Sequence, residues 1–127
     1  PYTAQVGRRV LIVDDEPYIR RILSYNLRRE GFVTFEAASA EHAESILAVH
    51  EVDLMLLDVA LATPTNGFDL AAKLRHNART QHLPVIMLTA RGFAADVLRG
   101  REVGAAGYIT KPFTADEVIR RVNALLG

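Results

Sequence analysis

Four short apolar runs limit what this chain can fold into. They read Val10-Leu11-Ile12-Val13, Leu54-Met55-Leu56-Leu57, Val85-Ile86-Met87-Leu88 and Tyr108-Ile109-Thr110. Each is followed at once by polar chemistry: Asp14 and Asp15, Asp58, Thr89 and Lys111. Segments of helical periodicity separate them. A short continuous apolar run between helices is the pattern of a strand buried on both faces of a parallel sheet. The carboxyl ends of such strands gather along one edge, where ligands bind. The pattern therefore brings three carboxylates, one hydroxyl and one ammonium to one place. Such a set can hold a divalent cation and a phosphoryl group.

Strand and helix patterns alternate five times. The first strand is expected over Arg9–Val13. The first helix starts at Pro17, a favoured first-turn residue, presents Ile19, Ile22, Leu23 and Leu27 on one face, and stops near Gly31. A second strand covers Phe32–Ala37. A second helix follows Ser39 as N-cap, without a capping box because His42 stands where Glu or Gln would. Its apolar side is Ala43, Ile46 and Leu47. The third strand is Asp53–Leu57, followed by a loop from Asp58 to Asn66 and a helix holding Phe68, Leu70, Ala71 and Leu74. The fourth strand is Val85–Leu88. The fourth helix runs from about Ala94 to Val103 and contains Gly100, which should loosen it. The fifth strand is Gly107–Thr110. The last helix starts after Thr114 and is expected to bury Val118, Val122, Leu125 and Leu126. Alternating units of this kind imply a doubly wound, five-stranded parallel α/β sheet with right-handed crossovers.

Composition narrows the function. The 127 residues suit one domain, expected as a short tail at 1–7 and a folded body at 8–127. Fifteen basic residues balance fifteen acidic ones. That balance argues against an electrostatic affinity of the whole domain for nucleic acid or an anionic membrane. No cysteine is present, so disulfides and thiolate metal sites are excluded. The apolar stretches are too short to span a bilayer. A cytoplasmic location is expected. The first residue is Pro1, not Met, and a domain of a longer protein is expected. His42, His50, His76 and His82 have no ligand-like spacing and read as surface residues.

The order and spacing of Val10-Leu11-Ile12-Val13-Asp14-Asp15-Glu16, Leu56-Leu57-Asp58, Leu88-Thr89-Ala90 and Gly104-Ala105-Ala106-Gly107-Tyr108-Ile109-Thr110-Lys111-Pro112-Phe113 resemble the receiver domain of two-component response regulators. The resemblance runs from Arg9 to Leu126. It implies a flavodoxin-like fold with strand order 2-1-3-4-5. The segment around the fourth and fifth helices is most similar to the subfamily joined to winged-helix DNA-binding domains.

Asp58 is the candidate phosphoacceptor, because a carboxylate can attack phosphorus to give an acyl phosphate. Asp14 and Asp15 read as metal ligands. Two like charges about 4 Å apart cost roughly 4 kcal/mol at an effective dielectric of about 20, and a bound cation removes that cost. Oxygen ligands and a phosphate substrate favour Mg²⁺ over zinc. By resemblance, Asp15, Asp58 and the backbone carbonyl of Ala60 ligate directly, and Asp14 acts mainly through water. Lys111 is expected to pair with Asp58 at rest and with a phosphate oxygen afterwards. The resemblance also implies a cis Lys111-Pro112 bond and a switch in which Thr89 moves to the phosphate and Tyr108 turns inward. It implies a histidine kinase or histidine phosphotransfer protein as partner. A homodimer through helix four, strand five and helix five is possible, and direct nucleic-acid or membrane binding is not expected.

Two departures from the family stand out. Pro64 lies six residues after Asp58 and Gly67 nine after, so the loop is one residue longer than usual. The extra residue is expected to bulge at Leu61–Thr65 and leave the Ala60 carbonyl in place. The usual acidic pair before the switch aromatic is replaced by Ala106-Gly107, although Glu117 and Arg121 match dimer-contact positions. Two rivals remain at this stage. A dehalogenase-like aspartyl-phosphate hydrolase would need an acid/base Asp where Ala60 stands, and a cap domain. A binding module that has lost phosphorylation would not need the full acidic set and Lys111.

Overall fold

The computed structural model describes residues 7–61, 65–90 and 94–127. The elements run β1 (Arg9–Val13), α1 (Pro17–Arg29), β2 (Val33–Ala37), α2 (Ala40–Val49), β3 (Leu54–Asp58), α3 (Gly67–Arg75), β4 (Val85–Thr89), α4 (Ala94–Glu102), β5 (Gly107–Thr110) and α5 (Ala115–Leu126). The strands form one parallel sheet in the order β2-β1-β3-β4-β5. This is the flavodoxin-like topology that the family resemblance implies.

Strand parity builds two cores. Leu11, Val13, Met55, Leu57, Val85 and Met87 face one side, where they pack with Ala43 and Leu47 of α2 and Phe68, Leu70 and Leu74 of α3. Val10, Ile12, Leu54, Leu56, Ile86 and Leu88 face the other, against Leu23 and Leu27 of α1 and Val118 and Val122 of α5. Alternate side chains of a strand point to opposite faces, so the three central strands must be apolar throughout. The edge strand β2 is looser, with Val33 exposed.

Local signals operate as read. Pro17 opens α1, and Gly31, with φ of 97°, lies just beyond its end. Ser39, Asn66 and Thr114 cap α2, α3 and α5 by accepting from the backbone N–H three residues on. The Lys111-Pro112 bond is cis. All four histidines are exposed.

Three expectations need adjustment. β3 and β4 each extend one residue further than read, so Asp58 and Thr89 are the last residues of their strands. Leu125 is 43% exposed. The α5 contact line follows the four-residue row Val118, Val122 and Leu126, with Ile119 beside it, and Leu125 falls off that row in the last turn. The expected tail lies outside the described residues except Gly7, whose N–H donates to the Gly31 carbonyl at 3.1 Å. The bulge expected at Leu61–Thr65 falls mostly on residues 62–64, also outside the description.

Candidate functional site

Strand register assembles the site. Val13 pairs with Leu57, so Asp14 and Asp58 leave adjacent strands side by side. Asp58 pairs with Leu88, and Thr89 with Thr110, which precedes Lys111. Backbone bonds continue the ladder past the strands: Asp14 N–H to Ala37 O (3.1 Å), Val59 N–H to Leu88 O (2.8 Å) and Lys111 N–H to Thr89 O (2.6 Å). Asp14 and Asp58 also flank the point where strand order reverses, the usual ligand crevice of an open α/β sheet.

Carboxylate oxygens of Asp14, Asp15 and Asp58 all lie within 4.8 Å of one another. Asp14 is fully buried, Asp58 is 3% exposed, and Asp15 is half-buried. The sequence singled out all three, and the fold brings them together. Three ionised carboxylates and one ammonium leave a formal charge of about minus two, which matches a divalent cation. Oxygen donors with neither Cys nor His beside them suit a hard ion such as Mg²⁺.

Lys111 forms the expected ion pair with Asp58, but its hydrogen bond goes to Asp14. Its Nζ donates to Asp14 Oδ2 at 2.9 Å, whereas Asp58 Oδ2 is 3.5 Å away and Glu16 Oε1 3.7 Å. Asp14 wins because its other oxygen is already held by the Glu16 N–H at 2.9 Å, which fixes the carboxylate facing Lys111. Burial pulls the Lys111 ammonium down, but the bond to Asp14 and the charges of Asp58, Asp14 and Glu16 outweigh it, and its pKa is raised.

Asp58 Oδ1 accepts from the Ala60 N–H at 3.1 Å. Its Oδ2 faces Lys111 beyond hydrogen-bond range. Burial pushes the Asp58 carboxyl up from 3.8 to about 6, and the Asp14 charge adds to this; Lys111 and the Ala60 N–H oppose it. This residue is ionised at neutral pH but at a cost. Thr89 is buried at the end of β4. Tyr108 is half-buried against the first core, and its hydroxyl donates to the Val97 carbonyl of α4 at 2.7 Å.

A cleft of about 450 Å³ opens beside Lys111, with Tyr18, Ile19 and Ile22 of α1 on one wall and Pro112 and Phe113 on the other. Sequence reasoning missed it, since these residues come together only through the packing of α1 beside the β5–α5 connection. It also missed what two glycines touch. A Cβ on Gly67 would overlap the Asp58 carbonyl oxygen. A Cβ on Gly100 would run into the Tyr108 ring, 2.6 Å from its hydroxyl oxygen. Gly100, read as a loosening residue, is where that ring rests on α4. Position alone offered no signal for either contact.

If the carboxylates hold Mg²⁺, the ion should raise the melting temperature of the wild type. Asp15→Asn should remove most of that rise, since it deletes one anionic ligand from a set of three. Thermal melts across a Mg²⁺ series check this, and equal responses in the two proteins would dismiss the assignment.

The fold and this edge define a class: a flavodoxin-like α/β protein with a buried carboxylate pocket and a lysine at the C-terminal ends of its strands. Comparison with known proteins narrows it. The profile of the response regulator receiver domain matches residues 10–123. The chain belongs to that family, the receiver domains of two-component response regulators. It is 40% identical over 121 residues to the phosphate regulon transcriptional regulatory protein PhoB of Pseudomonas aeruginosa, covering 95% of this chain and 52% of that protein. Against the transcriptional regulatory protein SrrA of Staphylococcus aureus it is 41% identical, covering 95% and 48%. The chain thus spans about half the length of these relatives. Among solved structures, the Vibrio cholerae chemotaxis protein CheY4 matches with a TM-score of 0.90 at 26% identity, covering 95% of this chain and all of that one. A putative response regulator from Chloroflexus aurantiacus matches at 0.88 and 34%, covering 94% and 98%.

Proposed function

We propose that the domain accepts a phosphoryl group on Asp58 from the phosphohistidine of a histidine kinase or histidine phosphotransfer protein, with Mg²⁺ in the acidic pocket. The observation that carries this reading is the state of Asp58. It sits among Asp14, Asp15 and Lys111, and among the described residues none donates a hydrogen bond to its Oδ2, which leaves a lone pair for attack. An Oδ2–P bond forms as the donor's N–P bond breaks, and the electron pair returns to the imidazole. Lys111 is 3.5 Å from the attacking oxygen, and its ammonium can exchange Asp14 for a phosphoryl oxygen. Asp14, fully buried and already bonded through both oxygens, is suited to act on the metal through water rather than directly. Asp15, Asp58 and the Ala60 carbonyl would be the direct ligands. Bound Mg²⁺ would supply neutralisation of the charge shared by these carboxylates and the phosphoryl oxygens.

Phosphorylation adds charge and acceptor oxygens next to Thr89. Thr89 and Tyr108 then carry the change to the surface of α4, β5 and α5, where the domain self-associates or meets a partner. The apolar cleft beside Lys111 is suited to seat a donor's helix with its phosphohistidine at the pocket. Ala60 offers no acid/base group, which favours a phosphoryl acceptor with slow self-dephosphorylation over a hydrolase. Names of the half-matched relatives point to transcriptional regulation as the output of the whole protein, and the cytoplasm is the compartment expected for it. This domain itself is not expected to touch DNA or membrane, and none of its described helices is long and apolar enough to cross a bilayer.

The test is incubation with Mg²⁺ and a small phosphodonor, followed by intact mass and peptide mapping. A single stable adduct on Asp58 is expected. Full labelling of Asp58→Ala would move the acceptor elsewhere, and sustained turnover without an adduct would favour a hydrolase.

A further inference from the structure

Asp15 poses a question of orientation. Among the described residues, no group donates a hydrogen bond to its carboxylate, whereas Asp14 is held through both oxygens and Asp58 through one. A half-buried ligand with no such support depends on its backbone for direction. That backbone is held by Arg20. From the second turn of α1, its Nη1 donates to the Asp14 carbonyl at 2.7 Å. The Asp14 carbonyl and the Asp15 N–Cα bond belong to one planar peptide unit. With the Asp14 N–H bonded to Ala37 O, fixing that carbonyl sets the direction in which Asp15 leaves the strand. Arg20 is in turn held by Glu36 of β2, Nε to Oε1 3.5 Å, and its side chain is only 17% exposed.

We infer that Arg20, braced by Glu36, is the positioning residue for Asp15, setting the affinity of the acidic pocket for Mg²⁺. The inference rests on the reading of that pocket as a Mg²⁺ site. Arg20 touches neither the ion nor the phosphoryl group in this scheme. Its guanidinium spans two acceptors, the Asp14 carbonyl just beyond β1 and the Glu36 carboxylate on β2. A lysine ammonium is a point donor and cannot reproduce that fork. Glu36 also offsets a positive charge that would otherwise repel the ion.

The sign of one substitution separates positioning from electrostatics. Removing a cation near the pocket without disturbing geometry should tighten Mg²⁺ binding. Removing a support of Asp15 should weaken it. Calorimetric Mg²⁺ titration of the unphosphorylated wild type, Arg20→Met and Arg20→Lys provides the measurement, with metal-free melts as a check on folding. We expect about tenfold weaker binding in both variants, the scale seen when a support behind a metal ligand is lost. Arg20→Lys keeps the charge, so it decides the matter even if Arg20→Met fails to fold. Tighter or unchanged binding in a folded variant overturns the positioning role. A wild type that does not bind Mg²⁺ overturns the pocket reading beneath it, which is a distinguishable result.

Discussion

Asp58→Asn is expected to melt above the wild type in metal-free buffer at about pH 7.5. Burial and the Asp14 charge raise the Asp58 carboxyl to about 6, so the folded state binds its proton more tightly than the unfolded chain does. For such a group the stabilising contribution is complete below the unfolded pKa near 3.8 and is lost as pH rises through about 6. At neutral pH the ionised carboxylate therefore destabilises the fold. The full shift corresponds to about 3 kcal/mol at 1.36 kcal/mol per pKa unit. An effective gain of about 1–2 kcal/mol for the amide is reasonable after solvent and structural relaxation, or roughly 5 °C in a domain of this size. The gap between the two proteins should close as pH falls toward about 4. Melts of both proteins across that range supply the check. A gap that widens on acidification would show that Asp58 is stabilised as the anion. Mg²⁺ should raise the wild type more than the amide variant, because the amide has lost an anionic ligand.

Gly67→Ala should have the opposite sign and a larger size. The added methyl would overlap the Asp58 carbonyl oxygen and lie 2.9 Å from its carbon and 3.0 Å from Val59 Cα. All three are backbone atoms of a strand end inside a packed sheet, and none can rotate away. The Gly67 N–H donates to Val59 O at 3.0 Å, which holds the start of α3 against that strand. Overpacking against rigid backbone costs about 1–3 kcal/mol and occasionally more. A loss of about 3 kcal/mol is expected, roughly 10 °C. Since two of the crowded atoms belong to Asp58, a member of the acidic cluster, Mg²⁺ affinity should fall with stability. A variant that melts like the wild type would mean that α3 can shift away from β3 freely.

Much of this was legible in the residues because the chemistry follows the strands. Val10–Val13, Leu54–Leu57 and Val85–Leu88 are apolar at every position, a pattern forced by burial on both faces. Once these are central parallel strands, Asp14, Asp58 and Thr89 must meet at one edge. The family resemblance added the strand order and the cis peptide bond, which periodicity does not encode. What escaped depends on three-dimensional distance. Whether Lys111 bonds to Asp14 or Asp58 is decided by 2.9 against 3.5 Å and by the Glu16 N–H that turns the Asp14 carboxylate. Arg20 carried no such signal, because nothing local reveals that its fork reaches across to β2. Leu125 fits the helical period of α5 but misses the row that meets the sheet.

Arg75 was equally invisible, and it bears on how the proposed α4–β5–α5 surface can move. Its guanidinium leaves the end of α3 and donates to Leu83 O at 2.8 Å, Gln81 O at 2.8 Å and Val103 O at 3.1 Å. Val103 immediately follows α4, so one side chain rivets the C-terminal end of that helix to the approach of β4. Nearer its middle, among the described residues, α4 is tied by a neutral bond from Tyr108 to Val97 and by an exposed ion pair from Arg99 to Asp69 of α3 at 3.8 Å, a kind of contact worth little. A neutral bond of this kind contributes about 1 kcal/mol, less than a bond from a charged guanidinium. Release of Tyr108 would therefore leave α4 as a lever with its fulcrum at Arg75. The displacement would grow with distance from Val103, and the helix end that follows Thr89 would travel farthest.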